Sequence, residues 1–74
     1  MTADRPPLRT FAVDTRTGRV GKVMAYDGPR LCLRPIGGGR EWDCPADAAR
    51  QATVAERLSA TTAYLNARSR GEVA

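Results

Sequence analysis

Three short stretches of alternating residues, separated by two turn signals, constrain the fold more than any other feature of this chain. The stretches span 19–26, 30–34 and 40–44. Asp27-Gly28-Pro29 separates the first two, and Pro35-Ile36 followed by three glycines separates the last two. Glycine and proline favour turns, and the side chains of a strand alternate between its two faces. The pattern therefore predicts an antiparallel meander of three strands.

The register between the second and third of these strands follows from their side chains. A four-residue loop over 36–39 groups four side chains on one face: Leu31, Leu33, Trp42 and Cys44. The opposite face then carries Cys32, Arg34, Glu41 and Asp43. A shift of one residue would exchange the faces and mix leucines with carboxylates. We therefore predict Leu33 opposite Trp42, an ion pair between Arg34 and Glu41, and no disulfide, because the two thiols point to opposite faces.

The register between the first and second strands of the meander stays open. One pairing places Val23 and Ala25 on the leucine face, and its neighbour places Met24 and Tyr26 there. Gly21, two residues before Val23, indicates a bend or a close approach of another chain segment.

The flanking segments complete a single small domain. Residues 1–7 are expected to be a flexible leader, 8–51 the β-domain and 52–74 a helix with its tail. Within these, 8–13 is predicted as a strand, 14–18 as a hairpin loop and 45–50 as a short helical turn. Thr53 and Glu56 have the spacing of a capping box, so a helix should begin there and run to about 68, with Gly71 as its stop. Its apolar stripe is narrow and contains Val54, Leu58 and Leu65.

The segment 17–33 resembles the KOW-type pattern, in which a glycine (Gly21) and a hydrophobic residue (Val23) precede a turn and an alternating strand. The stretch 11–50, with its Leu-Arg-Pro, glycine-rich turn and Glu-Trp-Asp, is similar to small SH3-like proteins of GC-rich actinobacteria. The resemblance implies a mainly β fold, a small SH3-like barrel of four to five antiparallel strands with a C-terminal α-helix. It also implies contacts to RNA, ribosomal protein or RNA polymerase.

Composition argues against catalysis and against cofactor binding. The 74 residues contain no histidine, so the commonest general base and metal ligand is missing. The two cysteines lack the spacing of a zinc site, although Cys32 could have its pKa lowered by Arg34. No apolar run approaches the length of a membrane span. We therefore expect a cytoplasmic protein that is not an enzyme, with no metal, no cofactor, no membrane contact and no small-molecule substrate.

Two classes of function remain. The first is a protein-interaction module, an accessory or regulatory subunit that binds a protein partner or self-associates through the barrel edge and the helix. Its candidate contact residues are Arg40, Trp42, Leu58, Tyr64 and Leu65. The second is nucleic-acid binding, suggested by a net charge of +4 and by arginine's fit to phosphate. Its candidate residues are Arg19, Lys22, Arg30, Arg34 and Arg40. These basic residues are scattered along the sequence, which favours the first class.

Overall fold

The computed structural model describes residues 5–69 of the chain. It contains five strands, β1 (Phe11–Asp14), β2 (Arg19–Asp27), β3 (Arg30–Pro35), β4 (Trp42–Pro45) and β5 (Ala49–Gln51). A 3-10 turn, Ala46–Ala48, lies between β4 and β5, and the helix α1 spans Val54–Ser69. The mainly β fold with a C-terminal helix is confirmed. The helical turn predicted over 45–50 is shorter than expected, because its last residues pair with β1 as β5.

The five strands form one antiparallel sheet in the order β4-β3-β2-β1-β5, and the sheet is not closed into the predicted barrel. The two edge strands β4 and β5 have only four and three residues. Pro45 ends β4, and proline has no N–H to donate to a further ladder. The 3-10 turn follows at once and leads to β5, which pairs with β1 and not with β4.

The predicted register between β3 and β4 is confirmed. Leu33 pairs with Trp42, Leu31 with Cys44 and Cys32 with Asp43. The buried core consists of Ala12, Val23, Leu31, Leu33 and Cys44. Both cysteines are free thiols.

The predicted ion pair between Arg34 and Glu41 is wrong. The ladder ends at Trp42, so Glu41 lies before β4 and has no strand position that would hold it opposite Arg34. Its carboxylate instead accepts a hydrogen bond from Cys32 Sγ at 3.1 Å. Within residues 5–69, neither of the two ion pairs involves Arg34 or Glu41.

A register shift in β2 answers the question that the sequence left open. Val23 pairs with Leu33, but Ala25 pairs with Cys32 and Tyr26 with Leu31, so Met24 is an extra residue in β2. Such a bulge changes which residues share a face. Each of the two registers is therefore correct on one side of Met24 only: Val23 and Tyr26 pair with core leucines, whereas Ala25 pairs with Cys32 and Met24 has no partner on β3.

Gly21 makes the close approach predicted for it. A Cβ on this residue would lie 2.8 Å from Cη2 of Trp42 and 3.0 Å from the carbonyl oxygen of Arg34. The first distance is shorter than real Cβ atoms show and the second is tighter than most of their contacts, so glycine at this position lets the indole of Trp42 approach β2 closely.

Residues 5 and 6, which belong to the leader predicted for 1–7, contact Tyr26 of β2. Pro6 is buried, and its carbonyl oxygen accepts a hydrogen bond from the Tyr26 hydroxyl. The Arg5 guanidinium lies 4.6 Å from the centre of the Tyr26 ring. Burial raises the pKa of Tyr26. Residues 1–4 lie outside the described residues.

The start of α1 is as the sequence predicts. Glu56 N–H donates to Thr53 Oγ1 at 3.0 Å, and Thr53 N–H donates to Glu56 Oε1 at 2.9 Å, which is a capping box. Arg50 in β5 adds a bidentate ion pair to the same carboxylate, at 2.8 and 2.6 Å. These contacts connect the sheet to the helix. Gly71, the predicted stop, lies outside the described residues.

Candidate functional site

A buried carboxylate at the end of β1 links β1 to the opposite edge of the sheet. The side chain of Asp14 is 1% exposed and accepts hydrogen bonds from Arg16 and Trp42. Arg16 contributes its backbone N–H, Nε and Nη2 at 2.9–3.1 Å, and Trp42 contributes its indole Nε1 at 2.9 Å. The Arg16 hydrogen bonds are the main cause that holds the pKa of Asp14 well below its usual range.

Trp42, predicted as a partner contact, belongs to this cluster. Its N–H is used by Asp14, and the guanidinium of Arg19 lies 3.9 Å from the centre of its ring. Arg16 also donates to the carbonyl oxygen of Asp43 on β4 at 3.1 Å. The indole is thus partly buried, and Arg19 covers one face of its ring. Its hydrogen bond to Asp14 connects β4 with β1.

The thiols are poor nucleophiles in this fold. The hydrogen bond to Glu41 raises the pKa of Cys32 to about 11, with desolvation and the charges of Glu41 and Asp43 acting in the same direction. The lowering expected from Arg34 is therefore wrong. Burial is the main cause that raises the pKa of Cys44.

Helix α1 leaves its apolar stripe outward, and its partly buried residues include alanines as well as polar side chains. Val54, Leu58 and Leu65 are 69%, 54% and 52% exposed, and no residue of α1 is buried. Tyr64 lies on another side of the helix, where its ring contacts Gly37 of the β3–β4 loop so closely that a Cβ there would overlap it. Of the predicted helical contact residues, Leu58 and Leu65 form one surface and Tyr64 belongs to the docking of α1.

The five basic residues predicted to bind phosphate are not one surface. Arg19 covers Trp42, whereas Lys22 and Arg34 pair directly across β2 and β3 on the other face. Arg30 begins β3 next to the turn, and Arg40 is exposed in the β3–β4 loop. Of the five, only Lys22 and Arg34 are partners in the strand pairing.

A groove beside Phe11 combines Lys22 and Arg34 with two basic residues that were not predicted. Two open hollows, of about 310 and 250 Å³, share Phe11 as a wall. Arg9 and Arg57 line the first, and Lys22 and Arg34 line the second. Sequence reasoning missed Arg9, Phe11 and Arg57. The sequence separates Arg57 from Phe11 by 46 positions, and only the pairing of β5 with β1 brings α1 to this side of β1.

Comparison with protein-family models, with curated proteins and with solved structures gives no significant match. Within residues 5–69, no three histidine, cysteine, aspartate or glutamate side chains converge on a point that could hold a metal ion. No described helix combines the length and the apolar character needed to cross a bilayer.

Proposed function

We propose that this protein is a non-catalytic protein-interaction module, a small accessory or regulatory subunit, and that α1 carries its contact surface. One observation supports this proposal: Val54, Leu58 and Leu65 lie on one side of a helix and each is more than half exposed. In a domain with only five buried hydrophobic residues in its core cluster, leaving three large apolar side chains in water is a considerable loss of burial. An interface that covers these three side chains would recover the lost burial.

A second copy of the chain is the occupant that this surface favours. When two α1 helices pack antiparallel about the point between Thr61 and Thr62, Leu58 of each copy faces Leu65 of the other. Arg57 then faces Asn66, and Arg68 faces Ala55, so no like charges meet. Self-complementarity of this kind is the requirement for a two-fold dimer. The edge strand β4 is a weaker candidate, because Arg16 already occupies one of its carbonyl acceptors.

The test is sedimentation equilibrium over a hundredfold range of protein concentration. We expect the wild-type chain to form dimers, and L58Q/L65Q to remain monomeric over the same range, because glutamine keeps helix propensity while removing apolar surface. S59Q/A63Q is the matched control, since both positions are exposed on another side of α1. A wild-type chain that stays monomeric, or equal weakening by both variants, contradicts self-association through the stripe.

A further inference from the structure

The groove beside Phe11 has the lining of an anion site. Its two hollows are lined by four basic residues: Arg9, Lys22, Arg34 and Arg57. Among the described residues no carboxylate lines either hollow, and the two ion pairs of residues 5–69 involve other arginines. The groove therefore concentrates positive charge that the fold itself does not neutralise.

Two of these residues are held together against their mutual repulsion. Lys22 and Arg34 are direct cross-strand partners on β2 and β3, where strands lie roughly 5 Å apart. Like charges directly opposite one another destabilise a sheet. A bound phosphate between them would turn this repulsion into attraction, so the pair is better explained by a ligand than by folding.

The backbone at Arg9 holds this cation at the edge of the first hollow, in a turn closed by the Thr10 N–H and the Pro7 carbonyl oxygen. Arg9 is the one described residue other than glycine with a positive φ, 73°. Its N–H donates to the carbonyl oxygen of Val23 at 2.8 Å, which fixes this conformation at the edge of the first hollow. Left-handed conformations are unfavourable for residues with a Cβ and concentrate at functional sites. Glycine would fit this turn more easily, yet the position carries a cation.

An aromatic ring lies between the two pairs of cations. Phe11 is half-buried, pairs with Lys22 and has the guanidinium of Arg57 5.6 Å from its ring centre. A positively charged groove that contains an aromatic side chain is the arrangement that binds single-stranded nucleic acid, because phosphates contact the cations while a base stacks on the ring. We infer that this groove binds single-stranded nucleic acid without sequence preference. An acidic peptide would use the cations but would gain nothing from the ring.

The experiment measures fluorescence anisotropy of a fluorescein-labelled oligothymidylate, about 12 nucleotides long, titrated with the full chain at several salt concentrations. Phosphate contacts on a single strand give a log–log salt slope of about −0.7 per cation, so four cations predict a slope of about −3. K22Q/R34Q should halve this slope to about −1.5. R30Q/R40Q, which removes the same charge from exposed positions outside the hollows, should leave it close to the wild-type value.

A further variant separates nucleic acid from other polyanions. F11L keeps an apolar side chain and removes the stacking surface. It should weaken oligothymidylate binding roughly five- to hundredfold. The affinity of the protein for polyglutamate, measured by competition with the labelled oligothymidylate, should stay unchanged. Thermal unfolding of each variant shows whether its fold is intact.

Absence of binding at low salt, equal loss in the two double variants, or an affinity unchanged by F11L would each overturn the inference. Val54 and Arg57 lie at both surfaces, but the variants of the two experiments share no residue, so a failure of one proposal can be told from a failure of the other.

Discussion

Asp14 accepts four hydrogen bonds although its side chain is almost fully buried. Three come from Arg16, two residues away, and one comes from Trp42, which belongs to an edge strand at the other end of the sheet order. An ionised carboxylate can be buried at acceptable cost only when such donors replace water. The local turn around Asp14 and the position of β4 therefore depend on the same side chain.

Replacing Asp14 by asparagine should destabilise the fold. D14N removes the charge that Arg16 and the Trp42 indole share, and we expect a loss of about 2–3 kcal/mol. W42F removes the same hydrogen bond from the other side. The double variant should lose less than the sum of the two single losses, because both remove one shared contact. Urea unfolding followed by circular dichroism at neutral pH measures the three differences.

A distant pair of residues supplies the control for this double-mutant cycle of D14N and W42F. Tyr26 lies near the other end of β2 and donates to Pro6, so D14N and Y26F should be additive. Additivity between D14N and W42F as well would show that the hydrogen bond between Asp14 and Trp42 does not couple the two residues.

Helix α1 depends on contacts with the sheet more than on its own apolar side. The capping box and the ion pair with Arg50 fix its first turn. Farther along, the contact between Tyr64 and Gly37 holds it to the β3–β4 loop. Because no residue of α1 is buried, these few contacts decide how firmly the helix lies on the sheet.

Alanine substitution at two adjacent glycines tests this attachment. Gly37 and Gly38 have similar φ angles, 87° and 91°, but only a Cβ at Gly37 would meet the Tyr64 ring. G37A and G38A should lose similar stability through backbone strain. Hydrogen exchange of the α1 amides should accelerate in G37A alone, because only there is the helix displaced. Equal exchange in both variants would mean that Tyr64 does not hold the helix in place.

The sequence predicted some elements well, and the reason for each success is local. The capping box needs only residues 53–56, and the register of β3 with β4 needs only one loop and four alternating side chains. Strand β5 has no comparable signal: it is three residues long and polar, and its partner β1 lies more than 30 positions earlier. The bulge at Met24 could not be predicted either, because each of the two possible registers of β2 against β3 gave an acceptable apolar face by itself.

The candidate site shows the same limit. Leu58 and Leu65 were predicted because helical spacing is visible in a sequence. The groove beside Phe11 combines a turn, three strands and a helix, so no short pattern contains it. Asp14 was assigned to a polar hairpin loop, since nothing near it in the sequence shows that Trp42 reaches its carboxylate.

At the scale of the whole molecule, the sheet is held together across its open side by ionisable side chains, so its stability should depend on acid pH. The folded pKa of Asp14 is depressed, and the unfolded value is about 4. Its stabilisation is therefore fully present above the unfolded pKa and is lost as the pH falls below about 4 toward the folded value. Hydrogen bonds from Arg50 and from the Thr53 N–H lower the pKa of Glu56 to about 2. Because Glu56 is more exposed, it adds a smaller effect of the same sign.

Urea midpoints of the wild-type chain should thus fall between pH 5 and pH 2.5, a window that spans the unfolded pKa of about 4. D14N, already less stable at neutral pH, should fall less over the same window because it has lost the largest titrating contribution. Parallel curves for the two proteins would show that Asp14 does not carry the acid sensitivity.

The extra residue in β2 has a consequence for how the length of this chain can vary. Removing one residue from most positions of a paired strand turns every following side chain to the wrong face. Met24 has no partner on β3, and the residues before and after it keep theirs when it is lost. A chain shortened by this single methionine would therefore retain Val23 and Tyr26 opposite their leucines, and natural variants one residue shorter would be expected to carry the gap here.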